Sequence, residues 1–153
     1  MALSKECQAG VVNLDDFPEI AAYARSLISS AVLEHMHTEV TALANDIDVT
    51  FNNALPTSVT AATIRLWLAS EMQNAAKAYV NWQAGFTEFH DGTPAYQIAQ
   101  NVGQSSSSNF RRAYPDAKSV TEAYERALET GQPQTIWIKG YAIRLDPTER
   151  QAG

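Results

Sequence analysis

Apolar residues along the first half of the chain recur with a period between three and four. Ile20, Tyr23, Ala24, Leu27, Ile28 and Ala31 form one such stripe, which predicts an amphipathic helix. Asp16 is its expected N-cap and Pro18 suits its first turn, where a missing N–H costs nothing. Val32, Met36, Val40, Leu43 and Ile47 carry the pattern to about residue 50, as one long helix or as two meeting near Ser29-Ser30. Asn52-Asn53 and Pro56 end it. A second helix is expected after a cap in Thr57–Thr60, with Ile64, Leu68, Met72, Ala75, Tyr79 and Trp82 on one face. Gly85 is its predicted stop, and residues 86–92 read as a loop turning at Asp91-Gly92. Two such helices suggest an antiparallel pair, open to completion by a second subunit. The stripes of Ile20, Leu27 and Ile28, and of Ile64, Leu68 and Met72, are expected to be buried, some of them between subunits.

Beyond Gly92 the pattern breaks into shorter pieces. Thr93 and Pro94 open a helix reaching Val102, Gly103 interrupts it, and Ser105 caps a further helix that Pro115 stops near Tyr114. Ser119 and Glu122 read as a capping box for another helix, with Val120, Tyr124, Ala127 and Leu128 as its apolar face. Gly131 and Pro133 terminate it. Residues 135–145 are rich in β-branched and aromatic side chains and read as one strand, or as a tight hairpin about Lys139-Gly140.

The predicted fold class is therefore mainly α: a helical bundle with a helix-turn-helix and a short C-terminal β-strand or hairpin, winged-helix-like. The expected organisation is a flexible N-terminus at 1–14, an acidic helical association region at 15–85, a helix-turn-helix region with the C-terminal strand at 93–145, and a tail at 146–153.

Charge qualifies this picture. The 153 residues carry a net charge of −6, whereas a protein that grips phosphates usually presents a basic face. The acidity is concentrated in the first half: residues 1–85 hold nine acidic and four basic side chains, residues 86–153 eight and seven. Between Gly92 and Lys118 stand Arg111, Arg112 and Lys118 against Asp116 alone. Cys7 is the single cysteine, so no intramolecular disulfide can form and a cytoplasmic location is expected. The first ten residues lack the basic stretch and apolar run of an export signal, and no segment has the roughly 18–20 apolar residues of a membrane span.

The stretch with most chemical content is Ile98-Ala99-Gln100-Asn101-Val102-Gly103-Gln104-Ser105-Ser106-Ser107-Ser108-Asn109-Phe110-Arg111-Arg112-Ala113-Tyr114. A helix-turn-helix needs a small residue where its helices cross, which Ala99 supplies between Ile98 and Val102. It needs a turn residue able to take positive φ four positions later, which Gly103 supplies. The second helix then meets base edges with its N-terminal residues. Ser105, Ser106, Ser107, Ser108 and Asn109 are short hydrogen-bonding side chains suited to that role. Phe110 and Ala113 can pack the helix back, while Arg111 and Arg112 reach phosphate or guanine.

Over these residues, about 20 of the chain, the sequence resembles helix-turn-helix regulators: the run resembles the second such motif of AraC-type proteins, and the following Tyr114-Pro115-Asp116-Ala117-Lys118-Ser119-Val120 is similar to TetR-type regulators. The resemblance implies a DNA-binding element. A hairpin after short helices would act as the wing of a winged helix, with Lys139 and Arg144 as its charged contacts. The competing reading of the motif is an ordinary helical hairpin, and of the strand, an edge that packs Trp137 onto the core.

Other constellations are weaker. His35 and His37 lie two apart, so on a helix their imidazoles diverge. His90 stands beside Glu88 and Asp91 in the expected loop, a sparse acid–base or metal grouping. Phosphate loops, dinucleotide fingerprints, zinc spacings and nucleophile elbows are all missing. The sequence reading is a non-enzymatic, sequence-specific DNA-binding protein, a small transcriptional regulator without cofactor or metal. Its expected contacts are Ser105, Ser106, Ser107, Ser108, Asn109, Arg111, Arg112 and Lys139. Its expected partners are double-stranded DNA and a second copy in a homodimer, with 15–85 open to a protein partner. The alternative is a protein–protein interaction module, an adaptor or anti-repressor built on the amphipathic helices.

Overall fold

The computed structural model describes residues 14–92 and 111–150. They are mainly helical and end in a two-stranded antiparallel hairpin, as the apolar periodicities predict. The chain divides into two compact units, Phe17–Asn74 and a second containing residues 75–92 and 111–150, with the boundary inside one long helix.

A 3₁₀ turn at Leu14–Asp16, grouped with the second unit, precedes α1 (Pro18–Leu27), with which the first unit begins. The N-cap is Phe17, not Asp16, and its side chain makes no capping hydrogen bond. Pro18 explains the shift: the residue before a proline is driven out of the helical region, and Phe17 has φ −122° and ψ 78°. α1 runs without a break through a π turn, Ile28–Val32, into α2 (Leu33–Phe51). The two expected alternatives near Ser29-Ser30, one helix or two, thus resolve into one helical run with a widened turn. Residues 52–60 lead to α3 (Ala61–His90). Its start is capped reciprocally, Thr63 N–H donating to Thr60 Oγ1 at 3.2 Å and Thr60 N–H to Thr63 Oγ1 at 2.9 Å. Ile64 is buried, as expected. Ile20, Leu27 and Ile28 are half-exposed within the chain, and the buried residue of α1 is Ala21.

Gly85 does not end α3, and residues 86–90 are helix rather than loop. A Cβ at Gly85 would lie 2.5 Å from both the Ala117 carbonyl oxygen and Val120 Cβ. The glycine is thus a contact point for α4 (Ala117–Thr130). The turn signal further on does hold, with Gly92 at φ +63°. Arg111–Ala113 is helical and Tyr114 lies outside it, just ahead of Pro115. The expected Ser119/Glu122 capping box is replaced by an earlier start. Asp116 is the N-cap of α4, and its N–H is taken at 3.0 Å by Oδ1 of Asn81, which is 2% exposed. Gly131, at φ +67°, closes α4 as predicted.

β1 (Gln134–Ile138) pairs with β2 (Tyr141–Leu145), Ile138 opposite Tyr141 and Gln134 opposite Leu145. Lys139 and Gly140 both have positive φ, 52° and 86°, the two-residue turn that matches strand twist. Alternation puts Ile138, Ile143 and Leu145 in the core with Ala78, Phe89, Val120, Ala123 and Tyr124. Tyr124 sits at its centre: Phe89 stacks on it at 5.3 Å, Phe86 meets it edge-on at 5.5 Å, and Trp82 Nε1 donates to its hydroxyl at 2.7 Å.

Candidate nucleic-acid interface

The predicted motif spans residues 94–114, and of these Arg111–Tyr114 are described. Ser105, Ser106, Ser107, Ser108 and Asn109 lie outside the described residues. What surrounds the motif is well defined. On its N-terminal side α3 ends at His90; on its C-terminal side the chain returns as the helical turn from Arg111.

Arg111 closes these two sides together. Its Nη2 donates to Glu88 Oε1 at 2.6 Å and its Nη1 to Glu88 Oε2 at 3.2 Å, a bidentate fork. Thr121 Oγ1 lies within reach of three acceptors, the carbonyls of Ala117 at 3.0 Å and Gly85 at 3.1 Å and Glu88 Oε2 at 3.4 Å, among which its one proton is shared. Arg111 is thus committed to holding α3, α4 and the returning turn in register. Arg112, its neighbour, is exposed. The Tyr114 phenol is pushed above its ordinary value by burial, as expected for a side chain packed where the turn ends.

The hairpin supplies the second surface. Thr135, Trp137, Ala142 and Arg144 point away from the core, with Thr135 opposite Arg144 and Trp137 opposite Ala142. Trp137 is 69% exposed, so it does not pack onto the core as an edge strand would require. The small Ala142 beside it leaves the indole face open. Lys139 stands exposed in the turn, and Arg144 Nε bonds Asp146 Oδ1 at 2.9 Å. Residues 134–145 hold Lys139 and Arg144 and no acid. Beyond the hairpin the chain returns to the core, Arg150 pairing with Glu125 at 2.9 Å and lying 4.7 Å from the Phe89 ring centroid.

The histidines fall into other arrangements. His90 Nδ1 lies 2.6 Å from Asp91 Oδ1 and its ring stacks on Phe86 at 5.1 Å, while Glu88 is turned to Arg111. Glu88, His90 and Asp91 line one cavity, with His90 paired to Asp91 and Glu88 bonded to Arg111. His37 Nδ1 lies 3.5 Å from Arg65 Nη2, and His35 is exposed. Among the described residues no group of three or more His, Cys, Asp or Glu side chains could hold a metal ion. No helix among them is long and apolar enough to cross a membrane.

Sequence reasoning missed Glu88 as the partner of Arg111. The signal was present: Phe86 and Phe89 extend the Tyr79, Trp82 stripe at steps of four and three, past Gly85. Continuing the helix would have placed Glu88 in its last turn, six residues before the motif. Comparison with protein-family models, with curated proteins and with solved structures returns no match.

Proposed function

We propose that the chain is a sequence-specific DNA-binding protein, a small cytoplasmic regulator that acts as a homodimer. In this reading Ser105–Ser108 and Asn109 meet base edges, Arg112 takes a phosphate, and the hairpin serves as the wing. The observation that carries it is the outward hairpin face. In a chain of net charge −6 it presents Trp137 and Lys139, beside Arg144 in its exposed pair with Asp146. Cations spaced around an exposed aromatic ring suit a sugar–phosphate backbone, where the ring packs on sugar and the cations displace counterions. Arg111 acts through the fold instead, as the staple to Glu88. A dimer follows physically because one short recognition helix buries little surface, and two half-sites multiply affinity. A protein–protein module is the second reading, favoured by the exposed apolar side chains of Phe17–Asn74.

The test is a fluorescence-anisotropy titration of the full chain against random duplex DNA at low and moderate salt. Wild type binds, and binding weakens as salt rises. Arg112→Ala and Lys139→Ala each reduce the slope of log affinity against log salt by about one. Trp137→Ala weakens binding several-fold without changing that slope. Absence of binding at low salt, or binding indifferent to all three substitutions, hands the function to the protein-interaction reading.

A further inference from the structure

The Phe17–Asn74 unit hides little apolar surface. Its buried apolar residues are Ala21, Val40, Ala44 and Ile64, two of them alanines. A unit of roughly 60 residues is marginal even with a full core. Against these four stand six large side chains on one helical run, Ile20, Tyr23, Leu27, Ile28, Val32 and Leu33, each 47–68% exposed.

The backbone arranges them into one stripe. Ile20, Tyr23 and Leu27 follow at steps of three and four, so they share a face. An α-helix would then carry Val32 and Leu33, each five residues past a stripe member, around its circumference. The π turn prevents this. The N–H of Leu33 bonds the carbonyl of Ile28, an i to i+5 closure that brings residues five apart over one another. Val32 thereby stays with Leu27, and Leu33 with Ile28. Arg25, two positions from both Tyr23 and Leu27, lies on the opposite side. No member of the stripe is charged.

We infer that this π-adjusted stripe, Ile20 to Leu33, is the surface on which two copies of the chain associate. A half-exposed large apolar side chain leaves on the order of 100 Å² accessible, so the six offer roughly 600 Å². That is about three quarters of the roughly 800 Å² per partner of a standard stable interface. An uncharged stripe meets itself about a two-fold axis without apposing like charges, which an isologous dimer requires. The inference specifies the dimer of the reading above, and it stands whether or not DNA is the ligand.

The experiment is sedimentation equilibrium of the full chain without DNA, from low to high micromolar concentration. Wild type is a dimer in this range. Leu27→Glu raises the dimer dissociation constant about thirty-fold or more, as at an interface hot spot. Tyr23→Lys, at the most exposed position of the stripe, leaves helix content by circular dichroism at the wild-type level and also weakens the dimer. It keeps the test decisive if Leu27→Glu fails to fold. Raising salt tightens association, because each Phe17–Asn74 unit holds six acids and two bases. DNA binding would move the opposite way, so the two readings fail separately. A strict monomer at high micromolar concentration overturns the proposal and leaves the stripe to another protein. A dimer that survives Tyr23→Lys overturns it in favour of another face.

Discussion

Replacing Gly85 with alanine tests how the second unit is held together. In an open helix interior this change stabilises by about 0.5–1 kcal/mol, because alanine loses less backbone entropy on folding. Here the new Cβ lands 2.5 Å from the Ala117 carbonyl oxygen, 2.5 Å from Val120 Cβ and 2.7 Å from Val120 Cγ1. Two of these atoms are fixed by the α4 backbone, so no rotamer change relieves the overlap. α3 and α4 must move apart by a substantial part of an ångström. That movement also strains the hydrogen bonds of Thr121 Oγ1, at 3.1 Å to the Gly85 carbonyl and 3.0 Å to the Ala117 carbonyl. Overpacking of this kind costs about 1–3 kcal/mol or more, and with two unyielding atoms the upper end applies. Less the helix-propensity gain, Gly85→Ala destabilises by about 2 kcal/mol. For a unit of this size that lowers Tm by roughly 8–16 °C, measured by circular dichroism. A variant that melts at or above the wild-type temperature would refute the reasoning, since the propensity term would then be acting alone.

Two further perturbations probe the same unit. Asn81→Ala removes the amide that receives the Asp116 N–H at 3.0 Å and donates to the Lys77 carbonyl at 2.9 Å. The expected cost is about 1–3 kcal/mol, with faster amide exchange in the first turn of α4 and little change at its C-terminal end. The Tyr124 phenol is raised above 10.0, chiefly by burial and secondarily by Asp146, against a lowering by the Trp82 hydrogen bond. The folded state therefore holds this proton more tightly than the unfolded state. Stability on this account is constant below about pH 10 and falls as pH rises through the folded value. Tyr124→Phe should reduce that alkaline loss in urea titrations on either side of pH 10; an unchanged loss would count against Tyr124 as its source.

Much of the fold was legible in the sequence, and the misses have identifiable causes. Helical periodicity placed the long helices, and β-branched residues around Lys139-Gly140 placed the hairpin and its turn. The misses are tertiary. Gly85 reads locally as a stop, and only the proximity of Ala117 and Val120 reveals it as a packing glycine. Ser119 and Glu122 make a sound capping box, but a buried side chain from 35 residues away starts the helix earlier. The π turn has no local signature in Ser29-Ser30. For the interface, Arg112, Lys139 and Trp137 emerge exposed, while Arg111 is held by Glu88, a partner hidden by the misplaced end of α3.

The charge distribution ties the two proposed activities together. Residues 17–74 hold six acids and two bases, whereas residues 75–153 hold eight of each. An acidic body repels phosphate, so the proposed DNA binding would depend on local cations more than on net charge. At about 0.1 M salt the Debye length is about 10 Å, beyond which exposed charges are largely screened. The same screening relieves repulsion between two bodies associating through an uncharged stripe. Under the two proposals salt acts in two directions at once, weakening phosphate contacts while favouring the dimer. If both proposals hold, the salt dependence of DNA binding must vary with protein concentration. It is shallow where dimerisation and binding are coupled, and steep where the dimer is already formed. A Tyr23→Lys chain loses that concentration dependence and binds as a monomer with about half the phosphate contacts, hence about half the slope. On the two proposals together, the acidity that argues against DNA binding in a single chain would become, in a dimer, a source of salt-dependent control.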